Sequence, residues 1–238
     1  MRGRKSCSPR TCHTIHAVRG ANGFQHPAQL GPQLAKKFAD EIGCPAFVVN
    51  PPDTDEIQPV ARMTGIKGVY RNVHLHALNL KDTAIQHAAA LGRKYEDCNF
   101  VVCHIGGGIS ISAHQKGRMI DGNDNVGGEG PMAPTRCGAV PAAELINYCF
   151  SGVDKKTAKT LCTKTGGFVS LLGGGMVHNK ELVTKITEAC SFIAPVAAYP
   201  GEFEMEAMAA GAIRALTGEE QIKTYTGKLC WDRADFED

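Results

Sequence analysis

The chain has 238 residues, 43% of them hydrophobic and 21% charged, the composition of an ordinary soluble globular protein. A chain of this length buries roughly 70–75% of its unfolded surface and suits one large domain or two lobes. A formal charge of +2 excludes a bulk electrostatic pull toward nucleic acid or a membrane surface, and no apolar run approaches the roughly 20 residues of a membrane span.

The N-terminus is the one strongly biased segment. From Met1 to Ala39 there is no acidic residue, against Arg2, Arg4, Lys5, Arg10, Arg19, Lys36 and Lys37. A mitochondrial transit peptide shares that bias, but Pro9, Gly20 and the lack of an amphipathic stripe favour a ragged basic start. Cys7, Cys12, His13 and His16 are zinc-capable, yet their spacing fits none of the usual fingers and adjacent Cys12 and His13 would strain a tetrahedral site. The ten cysteines are scattered, without a CxxC pair, and read as buried thiols of a reducing, cytoplasmic protein.

Residues 31–43, "GPQLAKKFADEIG", place Leu34, Phe38 and Ile42 at helical spacing ahead of Gly43, which predicts an amphipathic helix. "CPAFVVNPP" (44–52) predicts a short buried strand, and 53–66 a loop with a brief helix. "HALNLKDTAIQHAAALGRKYEDC" (76–98) is the strongest helix, closing near Gly92. "NFVVCHI" (99–105) predicts a buried strand, "ISISAHQ" (109–115) an alternating one, and "GRMIDGND" (117–124) a third after a turn at Gly117. A Gly/Pro loop (127–141) follows, then helices at 142–152 and 180–192, a strand at 193–200, and a last helix at 203–218 stopped by Gly218. Three successive strands with no helix between them are not the βαβ rhythm of a dinucleotide-binding domain. They are the opening of an α/β ATPase lobe of the ribonuclease-H-like kind, in which a hairpin turn approaches the phosphates.

"HALNLK", "HIGGGISISAHQKGRMIDGND", "GEGPMAPTRCGAVP", "CFSG" and "YPGEFEMEAMAAGAIR" stand in one order between about residues 26 and 226. Together they resemble butyrate kinase and, more broadly, the acetokinase group of carboxylate kinases. The resemblance implies a two-lobed actin/hexokinase-like fold and phosphoryl transfer between ATP and butanoate with Mg²⁺, in a homodimer. It divides the chain into residues 1–80, from the N-terminal lobe, and 81–238, the nucleotide-binding lobe, with the last helix either in that lobe or returned to the first. Two blocks of the family pattern are missing. No Asn-Pro-Gly-Ser-type phosphate loop stands at Met1–Gly31, and "LLGGGMVHNKEL" omits a long helical segment and a strand. The fold is therefore expected to be incomplete, as from a truncated or spliced reading frame. An inactive remnant that binds only nucleotide or a partner is the rival expectation, and an acetate, propionate or branched-chain carboxylate kinase is the other.

The chemistry follows from residue types. Gly106, Gly107 and Gly108 bare their backbone N–H groups toward phosphate oxygens, with Ser110 and Ser112 as added hydroxyl donors. A guanidinium forks onto two equatorial oxygens of a transferring phosphoryl group, and Arg136 matches the family's arginine for that task. The resemblance makes His76 the histidine that steadies the phosphoryl group and His104 part of the phosphate surroundings. It makes Gly174 and Gly175 the adenosine-side glycines and Glu204, among Glu202, Glu204 and Glu206, the carboxylate reaching magnesium. Where the family has an Asp after "AFVV" this chain has Asn50, so Asp55 is the expected acid, with Asp53 and Glu56 as alternatives. His74 has no counterpart in the family and reads as surface; Arg19 stands in surroundings that do not match.

Overall fold

A computed structural model of the chain describes residues 30–168, 180–199 and 203–223. Helix α1 (Leu30–Ile42) forms as the spacing predicts, although only Ala39 is buried and Leu34, Phe38 and Ile42 are exposed. Residues 44–49 adopt no regular structure, which corrects the expected strand. A strand is completed by a neighbour's hydrogen bonds; among the described residues no strand lies alongside, and Pro45 removes a donor. A single 3₁₀ turn, Pro59–Arg62, is the brief helix expected after the loop.

Helix α2 (Ala77–Ala90) buries Ala77, Leu80, Ala84 and Ala88, spaced as one helical face. That face lies on an antiparallel sheet ordered β1 (Asn99–Ile105), β2 (Ile109–Gln115), β3 (Arg118–Gly122). The β2–β3 turn is two residues, Lys116 and Gly117, both at positive φ (48° and 80°), the pairing whose twist suits a tight hairpin. Leu80 and Met119 are fully buried between helix and sheet, joined by Val73, Leu75, Val102, Tyr95 and Cys98. Burying each large side chain is worth roughly 1.5–3 kcal/mol.

Two details of the sheet differ from expectation. In β1 only Val102 is buried and Val101 is 76% exposed, because β1 is an edge strand and α2 covers one of its faces. Strand β2 alternates, but its serines and histidine turn inward: Ser110, Ser112 and His114 are buried and the isoleucines half-buried. Buried polar groups persist where they are bonded. Burial holds the Tyr95 phenol protonated, far above its ordinary range, and its oxygen lies 2.6 Å from His114 Nδ1. His114 Nε2 lies 2.7 Å from Ser112 Oγ, so the neutral ring is bonded at both nitrogens, donating at one and accepting at the other.

That network carries a pH dependence. Burial first, then the charge of Lys81, pushes His114 down to about 4. The unfolded chain takes up the proton near pH 6.5, the folded chain only near 4, so stability present above 6.5 is lost as the pH falls through that window. His74 works in the opposite sense, since its raised pKa favours folding below pH 6.5, but it is half-exposed and solvent screens its part. Urea unfolding at pH 7.5 and pH 5 is expected to show a loss on the order of 2–3 kcal/mol. His76, which burial also pushes down to about 4, adds to the same loss, so His114→Gln, which keeps a donor and an acceptor, should remove about half of it.

Beyond the sheet, α3 (Ala142–Phe150) buries no residue and leaves Ile146 and Phe150 exposed. Asp154 caps α4 (Lys155–Thr160), its carboxylate accepting from the Lys156 and Thr157 N–H groups at 2.9 and 3.0 Å. Helix α4 runs into a π turn, Leu161–Thr165; neither was anticipated from sequence. Helix α5 (Lys180–Cys190) and helix α6 (Glu204–Thr217), ended by Gly218, form where predicted. Residues 193–199 form no strand, a second correction, with Pro195 inside the segment. The cysteines are also corrected: among the described residues only Cys98 is buried, while Cys44, Cys103 and Cys149 are exposed.

Candidate active site

The strand register of β1 and β2 sets His104 opposite Ser110 on the inward side, at the end of the hairpin where Gly106–Gly108 make the bend. His76, the residue capping α2, meets them there. Its backbone N–H donates to Ser110 Oγ at 3.2 Å, and its Nδ1 lies 2.8 Å from the same oxygen. Ser110 Oγ accepts the backbone proton and still has one proton to give and one lone pair to receive, so His76 Nδ1 is tied to it in either tautomer. The imidazoles of His76 and His104 stack with centroids 4.0 Å apart. Burial, then His104 and Arg136, pushes His76 down to about 4, so it is neutral at pH 7.

The Gly/Pro loop brings Arg136 to the bend. Arg136 Nη1 donates to the Gly107 carbonyl at 3.4 Å and Thr135 Oγ1 to the same carbonyl at 3.3 Å. The loop folds back on itself, with Ala133 N–H donating to Arg136 O at 3.1 Å and Phe168 N–H to Ala133 O at 3.1 Å. Gly167, at φ +70°, passes so close that any side chain would enter the Ala133 carbonyl. Arg136 Nε is buried without a hydrogen-bond partner among the described residues, an uncompensated donor at the bend.

Gly108 shows how tightly the parts converge. A Cβ there would lie 2.5 Å from Arg136 Nη1, 2.5 Å from Asn125 Oδ1 and 2.7 Å from Asn125 Nδ2. Guanidinium and amide therefore flank the same backbone unit, and both must move if a methyl is added. If the bend receives phosphates, as the resemblance implies, Gly108→Ala should weaken Mg·ATP binding by tenfold or more in calorimetric titration, at a cost to the fold of about 1–3 kcal/mol that urea unfolding reads separately. Asn125, only 5% exposed and tied by its N–H to the His74 carbonyl at 3.1 Å, escaped the sequence reading, as did Thr135. Thr135 adjoined the recognised arginine; Asn125 lay inside a polar turn with nothing to mark which side chain faces the bend.

Other expected residues fall elsewhere. Ser112 is buried against His114 and does not face the bend. His74, read as surface, is half-buried with Nδ1 3.1 Å from Asp124 Oδ1. The hydrogen bond to Asp124 holds the His74 pKa up against burial, with Asp53 and Asp55 adding to the pull. The Asp55 carboxylate is engaged by the buried guanidinium of Arg62, and the Glu56 carboxylate by Lys81. Glu204 opens α6 beside Glu206, where acids suit the helix dipole. Among the described residues no hydrogen bond or ion pair links Asp55 or Glu204 to the Arg136 cluster. Gly174, Gly175, Glu202, Arg19 and the Cys7–His16 group lie outside the described residues.

Comparison with known proteins gives the geometry a context. The model of the acetokinase family matches residues 61–191, more than half of the chain, including the hairpin bend and Arg136. The structure is similar to the acetate kinase of Porphyromonas gingivalis (TM-score 0.58, 18% identity, 91% of this chain and 56% of that one). It is similar also to a propionate kinase from Francisella tularensis subsp. tularensis SCHU S4 (0.54, 16%, 91% and 55%). The acetate kinase of Entamoeba histolytica gives 0.54 at 14% identity, over 90% of this chain and 56% of that one. The chain thus spans just over half the length of these proteins, and its fold is part of their α/β, actin-like architecture. On the strength of the matched residues, the chain belongs to the acetokinase family.

Proposed function

We propose that the chain is a carboxylate kinase that transfers the γ-phosphoryl group of ATP to butanoate, giving butanoyl phosphate and ADP, reversibly. The observation that supports this most is the convergence of Arg136, neutral His76 and the bare Gly106–Gly108 backbone at one point. Phosphoryl transfer needs little covalent help; it needs in-line positioning and charge placed where the equatorial oxygens gain it. In this reading the Gly107 and Gly108 amides hold phosphate oxygens, the Gly106 N–H being donated to the Gly108 carbonyl at 3.0 Å, and the Arg136 fork, with its orphaned Nε, takes the transferring group. Nε2–H of His76 donates without adding a full charge, and His104 shapes the wall by stacking. A carboxylate oxygen attacks the phosphorus from the open side.

Magnesium bound through nucleotide phosphates takes only one or two protein carboxylates. Among the described residues no three metal-ligating side chains converge, and Glu204 is our candidate for a single carboxylate. Asp55, clasped by Arg62, is the proposed acid on the nucleophile's side. Gly174 and Gly175 are the proposed adenosine contacts. The lobe boundary near residue 80 and a homodimer belong to the same proposal. Among the described residues no helix is long and apolar enough to cross a membrane.

Trapping acyl phosphate with hydroxylamine, over acetate, propionate, butanoate and branched acids, tests the reading and ranks the acyl chains. Product that requires both ATP and butanoate supports it; preference for acetate or propionate reassigns the substrate within the family. A second reading, nucleotide binding without turnover, draws support from uncovered apolar side chains such as Val101, Phe150, Phe192 and Ile193. A melting temperature raised by Mg·ATP with no acyl phosphate formed would favour it.

A further inference from the structure

We infer that Cys137 and Cys162 form an oxidisable dithiol, a modification site for low-molecular-weight disulfides built into the base of the loop that carries Arg136. The two residues are joined through the backbone, where Cys137 N–H donates to Cys162 O at 3.0 Å. The covalent geometry on either side of that bond keeps the two Cα atoms within about 7 Å, the span a disulfide can bridge. The Cys162 side chain lies close enough to act on the Cys137 thiol. Cys137 Sγ also lies 3.2 Å from Gly138 O and 3.8 Å from Gly128 O, and both cysteines are partly accessible. Gly128 packs into the same corner: a Cβ on it would sit 3.2 Å from Cys137 Sγ and 3.2 Å from Cys162 O, so the two cysteines are pressed together around it.

The chemistry balances with a glutathione-type disulfide as oxidant. Burial, with Cys162 beside it, pushes the Cys137 thiol up to about 11, so it stays protonated at neutral pH. Cys137 already donates its S–H to the Gly138 and Gly128 carbonyls, which leaves Cys162 as the attacking thiol. Its thiolate displaces one glutathione and forms a mixed disulfide, having released its proton to solvent. Cys137, losing its proton in turn, attacks the Cys162 sulfur and expels the second glutathione. Two protein thiols are oxidised and one external disulfide is reduced to two thiols. The bridge ties residue 137, next to Arg136, to the π turn at Leu161–Thr165.

The inference does not rest on the kinase reading, and its test needs no turnover. The full chain is incubated with oxidised glutathione, alkylated, and digested with trypsin and Glu-C, which separates Cys137 from Cys149 by cutting after Glu144. Mass spectrometry is expected to find the Cys137 and Cys162 peptides cross-linked, two hydrogens lighter than their sum, and the link broken by dithiothreitol. In Cys162→Ser the link disappears and Cys137 stays largely unmodified; in Cys137→Ser, Cys162 accumulates one glutathione. Wild-type protein in which Cys137 and Cys162 each carry a separate glutathione, or in which Cys137 pairs with Cys149 or Cys190, overturns the inference.

Discussion

Arg136→Ala is expected to lower kcat for acyl phosphate formation by about a thousandfold or more, with little change in the KM for ATP. An arginine aimed at a transferring phosphoryl group contributes on the order of 10³–10⁵ in rate. The geometry explains why the effect should fall on kcat. Among the described residues the Arg136 side chain makes one long bond, 3.4 Å to the Gly107 carbonyl, and its Nε has no partner. It is held near the bend but not satisfied there, so its gain comes when charge develops beside it. Arg136→Lys should recover little, because a point ammonium cannot fork onto two oxygens. Both variants should melt within a degree or two of wild type, which separates loss of chemistry from loss of fold.

The largest stability effect is expected from Lys81→Met. Lys81 Nζ lies 3.0 Å from both oxygens of Glu56, with the two side chains 10% and 6% exposed, and the Met119 N–H donates to the same carboxylate at 3.0 Å. Burial alone would raise the Glu56 pKa; the charge of Lys81 and these hydrogen bonds outweigh it and hold the carboxyl below its ordinary value. Removing the ammonium leaves a buried carboxylate uncompensated, at about 3–5 kcal/mol. The loss should shrink on acidification. Without Lys81 the folded-state pKa of Glu56 rises above its unfolded value, so the variant is favoured where Glu56 is protonated and loses stability as the pH climbs through that raised pKa. Glu56→Gln combined with Lys81→Met should regain at least half of the loss, measured by urea unfolding at pH 7.5.

Local signals carried the hairpins and the helices. The run of alanine and leucine closing at Gly92 predicted α2, and the small residues between "NFVVCHI" and "ISISAHQ" predicted a bend there. Non-local facts were out of reach. Whether "AFVV" becomes a strand depends on a neighbour far away in sequence, and among the described residues none is present. Alternation in "ISISAHQ" indicated two faces but not which one is buried. Tyr95, distant from the strand, supplies the partner that lets His114 and Ser112 turn inward. The same limit hid Asn125, whose place beside Gly108 follows from the approach of two loops. Arg136 and the glycines were legible because their chemistry is bound to residue type and because they stand inside the block that resembles carboxylate kinases.

Hydrogen exchange by mass spectrometry, with and without Mg·ATP, reads the location of the phosphate site directly. The amides of residues 105–108 and the loop segment 133–137 should exchange more slowly when nucleotide is bound, and the effect should vanish in Gly108→Ala. Saturating nucleotide that leaves both segments unchanged while protecting some other part of the chain would contradict the central claim, that the glycine hairpin receives the triphosphate beside Arg136.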